Sequence, residues 1–222
     1  MASVTAVQAA THHETEWPNP NLQLVELFPA PGDWTEEEYL WLTDRTNHLA
    51  EYCDGRIEIL PMPTDFHQTI SLKLLKILLH YFEPTGGKVL YSPIRIRLFS
   101  GRFREPDLVV LASADDPRRE NRYWHGADLV MEIVSPDDPA RDLVTKRQEY
   151  AEAGIPEYWI VDPRSETITV LKLDASRPED LDASQLEEKV YAEHGTFGRG
   201  ATATSAHFDG LGVDVEALFT TD

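Results

Sequence analysis

Asp128-Leu-Val-Met-Glu132-Ile-Val134 is an apolar run of strand type with a carboxylate in its middle. Continuous apolar character over this length marks a strand covered on both faces. Burying a lone carboxylate there costs on the order of several kcal/mol unless it is protonated, paired or bound to a metal. Glu132 therefore calls for a partner, either an arginine or lysine in a buried ion pair or a metal ion.

A second buried strand lies upstream, at Leu108 to Ala112, and the chain enters it through Glu105-Pro106-Asp107. Proline fits at a strand start. Asp107 is then either a surface turn residue or a second carboxylate at the end of a core strand. Two such groups side by side repel each other, and a divalent cation removes the repulsion. Ligation by oxygen alone favours Mg2+ or Mn2+ over zinc. Downstream of Glu132, residues Pro139 to Ala153 read as a helix stopped by Gly154 and Pro156. Asp142, Lys146 and Tyr150 fall at i, i+4 and i+8, on roughly one helix face. Asp142 and Lys146 could form a surface pair worth only a few tenths of a kcal/mol. Alternatively Lys146 points back over the strand end, where it would orient a water or stabilise charge on a phosphate.

Outward from this centre the elements follow in order. Asp33 or Thr35 caps a short acidic helix, Glu36 to Leu42. Leu49 to Cys53 and Arg56 to Leu60 form a hairpin around Asp54-Gly55. Thr64 to Phe82 is an amphipathic helix, with Ile70, Leu74, Ile77, Leu78 and Tyr81 at helical spacing. Lys88 to Phe99 alternates as one strand and turns at Ser100-Gly101 into a second strand, Arg102 to Leu111. Ser113 to Gly126 is a polar loop. Glu157 to Val161 and Thr167 to Leu171 pair around Asp162-Pro163. One or two strands from about Glu187 and a short helix near Val213 to Phe219 end the chain. This order predicts an α/β fold with a mixed central sheet flanked by helices. Residues 1–32 read as an irregular arm and 33–222 as a single domain. Tyr158 and Trp159 are expected in the core or an interface. His12-His13 lies in the arm and is taken as incidental.

The net charge of −19 argues at first against a polyanionic partner. Its distribution tempers this. Residues 1–58 hold 11 acids and 2 bases, residues 174–222 hold 11 and 3, and residues 59–173 are nearly balanced at 17 and 15. Arg95, Arg97, Arg102 and Arg104 belong to an arginine-rich stretch that could contact backbone phosphates. Cys53 is the only cysteine, which excludes an intramolecular disulfide and a multi-cysteine zinc site. No apolar run is long enough to span a bilayer and no secretory leader is evident, so a cytoplasmic location with no membrane partner is expected. A nucleophile elbow, a zinc-protease helix motif and a phosphate-binding loop are all absent from the sequence.

Glu105-Pro-Asp107, Asp128-Leu-Val-Met-Glu132-Ile-Val-Ser-Pro136 and Asp142-x3-Lys146-x3-Tyr150-x3-Gly154-Ile-Pro-Glu157-Tyr-Trp-Ile-Val-Asp162-Pro together resemble the Uma-two family of restriction-endonuclease-like proteins. That family lies in the PD-(D/E)XK nuclease superfamily. The resemblance extends to Asp54-Gly55-x2-Glu58 and to His67. It implies a restriction-endonuclease-like fold, a DNA substrate and Mg2+ (or Mn2+) on Asp107 and Glu132, with a catalytic lysine nearby. The simple motif would place that lysine two residues after Glu132, where this chain has Val134, so the resemblance moves the role to Lys146. Glu58 and His67 are implied as further site residues, with Asp142 and Tyr150 beside Lys146. A homodimer is expected, since cutting opposite strands takes two sites. Two rival readings stand beside the endonuclease: a non-catalytic binding or assembly module on the same fold, and a metal-dependent hydrolase of another phosphoester such as a nucleotide or RNA.

Overall fold

The structure is a computed structural model and describes residues 28–174 and 189–220. Most of the expected arm, His12-His13 and the strand start at Glu187 lie outside the described residues.

The two apolar runs form adjacent central strands, β6 (Leu108–Leu111) and β7 (Leu129–Ile133), every residue of which is buried. They belong to a six-stranded sheet. β3 (Lys88–Tyr91) lies outside β6, and β8 (Glu157–Asp162), β9 (Thr167–Asp174) and β10 (Val190–Phe197) follow beyond β7. β7 and β8 are the parallel pair. The other ladders of this sheet are antiparallel. A parallel pair needs a crossover, usually a helix. Here the crossover carries α3 (Lys146–Glu152), which packs on the sheet.

Side chains alternate strictly between the two sheet faces. Leu108, Val110, Leu129, Met131, Trp159 and Val161 pack on one face. They meet Ile70, Leu74, Leu78 and Phe82 of α2 (Asp65–Phe82), which recur every fourth residue as one helix stripe. Val109, Leu111, Val130, Tyr158 and Ile160 occupy the other face, with Tyr150 and Ala151 of α3. Tyr158 and Trp159 are core residues, as expected. Lys73 of α2 donates to the carbonyls of Ala217, Leu218 and Thr220, binding that helix to the end of α4 (Val215–Phe219).

A smaller sheet contains the hairpin of β1 (Ala50–Cys53) and β2 (Arg56–Ile59), then β5 (Arg102–Arg104) and β4 (Ile96–Phe99). Tyr39, Leu40, Ala50, Tyr52 and Phe103 pack between it and α1 (Glu36–Thr43). The α1 cap is Thr35, which forms a reciprocal capping box with Glu38.

The expectations for two strands and one helix are corrected here. Lys88 to Phe99 and Arg102 to Leu111 are not continuous strands. Each divides between the sheets, at Ser92-Pro93 and at Glu105-Pro106. Proline has no N–H for a ladder, so the pairing stops there and the chain crosses to the other sheet. The helix after Glu132 also differs from a regular one. It starts as α-helix at Pro139-Ala140, as expected, widens into a π-helical turn over Arg141–Thr145 and is α-helical again from Lys146. Within the polar loop 113–126, Trp124 is buried and its backbone bonds to Arg95 and Arg97.

Candidate functional site

The β6–β7 register pairs Leu108 with Met131 and Val109 with Val130. Continued by one residue, it sets Asp107 opposite Glu132. Directly opposed residues share a sheet face, with Cβ atoms about 4.5–5.5 Å apart. The sheet therefore places the two carboxylates side by side, at the end of β6 where Pro106 ends the strand. Asp107 is fixed there by the Ile133 N–H, which donates to its Oδ2 at 2.8 Å, and by His67 Nε2 at 3.2 Å from the same oxygen. His67 comes from the first turn of α2, and its own N–H is held by the capping oxygen of Thr64.

Glu132 lies on the face covered by α3. Lys146 Nζ donates to its Oε1 at 2.8 Å and the Tyr150 hydroxyl donates to the same oxygen at 2.5 Å. Lys146 Nζ also lies 3.4 Å from Asp142 Oδ1 and 3.4 Å from Glu51 Oε1. Lys146 and Tyr150 thus meet Glu132, with Asp142 joined to it through Lys146, and the surface-pair alternative is ruled out by their burial.

Glu51 was not among the residues singled out in the sequence, and it is the hub of the surrounding charges. It is fully buried, bonded to Arg104 at 2.7 Å, to Arg141 at 2.5 Å and to the Glu105 N–H at 3.1 Å. Burial opposes its ionisation, but Lys146, Arg104 and Arg141 outweigh this and hold its carboxyl at about 2. Glu132 is placed differently. Burial pushes its carboxyl up, Lys146 pulls it down, and Asp107, Asp142 and Glu51 add to the rise, leaving it at about 8. Three acids share one ammonium here. Lys146 stays charged because Glu132, Glu51 and Asp142 together overcome its burial. Glu51 has two guanidiniums besides, so Glu132 is the less compensated of the two acids, and a further cation beside it would favour its charged form. Burial first, and then the charge of Glu51, raises Glu105 to about 7.

Asp107, Glu132, His67, Asp142 and Lys146 all line one cleft of about 640 Å3 between the sheet end, the 60–64 linker and the 134–142 segment. Arg141 and Arg164 line it too. Glu58, an expected site residue, is half exposed and joins the network only through Arg141 at 2.7 Å and Arg104 at 3.6 Å. The four arginines expected to contact phosphate are placed elsewhere. Arg104 is buried between Glu51 and Glu149, and Arg102 pairs with Asp54 and Glu149. Arg95 pairs with Asp44 and Arg97 with Glu36, both from the α1 segment. None of the four lines the cleft.

Among the described residues, no group of three or more His, Cys, Asp or Glu side chains is arranged to hold a metal ion. The donor set is two carboxylates on neighbouring strands, and Asp107 Oδ1 and Glu132 Oε2 accept no hydrogen bond from described residues. That set fits Mg2+ or Mn2+, which bind through one or two carboxylates and keep several waters, and it does not fit a closed zinc site.

A mixed sheet flanked by helices, with this acidic cleft at its end, is the restriction-endonuclease-like fold. The chain belongs to the Uma2 family, described as "Putative restriction endonuclease", whose profile matches residues 36–203. Among solved structures, the chain is similar to "a putative nuclease belonging to DUF820" from Anabaena variabilis ATCC 29413. That match has a TM-score of 0.62 and 23% identity over 83% of this chain and 97% of the other. It shows the shared fold. A comparison with curated proteins gives no match. Among the described residues, no helix is long and apolar enough to cross a membrane.

Proposed function

We propose that this nuclease-family chain hydrolyses phosphodiester bonds in DNA, with Mg2+ (or Mn2+) held by Asp107 and Glu132. The observation that carries the reading is the β6–β7 register, which sets these two carboxylates opposite each other beside a charged lysine. When bound, the ion supplies positive charge at the phosphate and a more acidic water.

The chain's own residues do the rest. The Ile133 N–H and His67 fix Asp107, while Tyr150 and Lys146 fix Glu132. Lys146 brings its ammonium to the cleft already charged, where it stabilises negative charge developing on the phosphate. It also gives a hydrogen bond to the attacking water, setting its direction. Cutting both strands of a duplex takes two such sites, and so a pair of copies.

The expected outcome is Mg2+-dependent cleavage of DNA that stops when the ion is chelated and falls at least about a hundredfold in Asp107→Ala and Glu132→Ala. Calorimetric titration with Mg2+ gives a second readout, in which both variants lose the binding heat. Wild-type cutting rates in both variants would overturn the site assignment.

A further inference from the structure

The cleft is poorly equipped to grip a duplex by its phosphates. Six carboxylates line it, those of Glu105, Asp107, Glu132, Asp137, Asp138 and Asp142. Its three cations are all engaged: Lys146 by Glu132, Arg141 by Glu51 and Glu58, and Arg164 by Asp162. Duplex binding depends on neutralising phosphates spaced about 1.7 Å apart along the helix axis. A metal ion at the centre answers one phosphate and not a run of them.

The rim offers a different kind of contact. Tyr91, Phe66 and Met62 line the cleft and are 56%, 37% and 78% exposed. They come from three elements, the end of β3, the first turn of α2 and the linker after β2. All three share the cleft with the acids. Tyr91 stands opposite Leu108, the neighbour of Asp107, and the Ser92 N–H donates to the Asp107 carbonyl. Phe66 precedes His67, whose ring meets Asp107. Large apolar side chains left in water around an acidic centre can take up the faces of bases. Stacking on aromatic rings tolerates any sequence and needs bases that are not already paired and stacked. The cleft's volume of about 640 Å3 falls in the range of sites that enclose a small ligand, about 300–1,000 Å3.

Resting on the nuclease reading above, we propose that the substrate is nucleic acid with unpaired bases at the cut, either single-stranded or locally opened, held by stacking on Tyr91 and Phe66. Met62 closes the apolar rim beside them.

The test uses the full chain with Mg2+ and fluorescein-labelled DNA of one sequence in three forms: single strand, matched duplex and duplex with a short unpaired bulge. Cleavage kinetics and anisotropy binding are measured on each. The single strand and the bulge should be cut, and the matched duplex at least about tenfold more slowly. Tyr91→Ala and Phe66→Ala should each raise KM on the single strand about tenfold, and Tyr91→Phe should restore it. Both positions are exposed, and circular dichroism checks that the variants fold. A matched duplex cut as fast as the single strand, or a KM indifferent to Tyr91→Ala, overturns the proposal and leaves the nuclease reading in place. Single-strand binding that depends on Tyr91, without cleavage of any form, supports the stacking contact and sinks the nuclease reading instead. No preference for the single strand in either cleavage or binding overturns it too.

Discussion

Lys146 and Glu51 show how buried charges are kept in this protein. Each is buried, and each is tolerated because several opposite charges surround it. Removing one partner of such a group leaves a charge uncompensated, at a cost of about 3–5 kcal/mol. Glu51→Ala should therefore lower stability by about that much, read from the urea midpoint. It leaves Arg104, Arg141 and Lys146 each with fewer acids around a buried cation. The same residue sets an acid limit. Its folded carboxyl lies at about 2 against an ordinary 4.5. As the pH falls, the unfolded chain takes the proton first, so the stabilisation is complete above about 4.5 and drains away between there and 2. Urea melts across that window should lose stability more steeply in the wild type than in Glu51→Gln. Parallel losses in the two proteins would show that Glu51 is not the linked group.

At the level of elements, α2 ties packing to the site. Its stripe of Ile70, Leu74, Leu78 and Phe82 covers one sheet face, and its first turn delivers His67 to Asp107. Leu74→Ala should cost about 2–5 kcal/mol through the cavity it opens. Thr64→Ala removes the cap and should cost about 1 kcal/mol. It also frees the His67 N–H that Thr64 now holds. We therefore expect Thr64→Ala to weaken Mg2+ binding in calorimetry, and Leu74→Ala, one helix turn and more away, to leave it in place once folding is matched. The two prolines have the opposite job. Pro93 and Pro106 end ladders rather than extend them, and Asp107 owes its place at the mouth of the cleft to the strand break before it.

For the whole molecule, the distribution of charge matters more than its sum. The near-balance of residues 59–173 suggests free arginines, but the acidic N-terminal part folds back onto them. Glu36, Glu37 and Asp44 of the α1 region pair with Arg97, Arg122 and Arg95. Within the cleft every described lysine and arginine already faces an acid, which leaves the metal ion as the main attraction for a polyanion there. Binding of DNA oligonucleotides should therefore depend shallowly on salt, with a log–log slope of magnitude below about 3, since each neutralised phosphate contributes about 0.7–0.9. Arg95→Ala and Arg97→Ala should change oligonucleotide affinity by less than about twofold. A steep slope, or a large loss in either variant, would show that these pairs open to take phosphate.

Glu132 was legible because a carboxylate inside an apolar strand has no cheap solution, and Asp107 because a proline and an acid open another such strand. The spacing of Asp142, Lys146 and Tyr150 was readable for the same reason, since helical periodicity is a local property. The mixed sheet followed from the order of elements. Glu51, Arg141 and the fate of the arginines were not legible. In Ala50-Glu51-Tyr52 the acid occupies what looks like an ordinary solvent face of an edge hairpin. Only the packing of Arg104 and the 141–149 segment over that face buries it. Which strand stands beside which, and so which charges meet, depends on where the chain changes sheets at Pro93 and Pro106. Local sequence sets each residue's preferences, but the contacts between charges distant in the chain arise from register and layer packing, which exist only once the sheets have assembled.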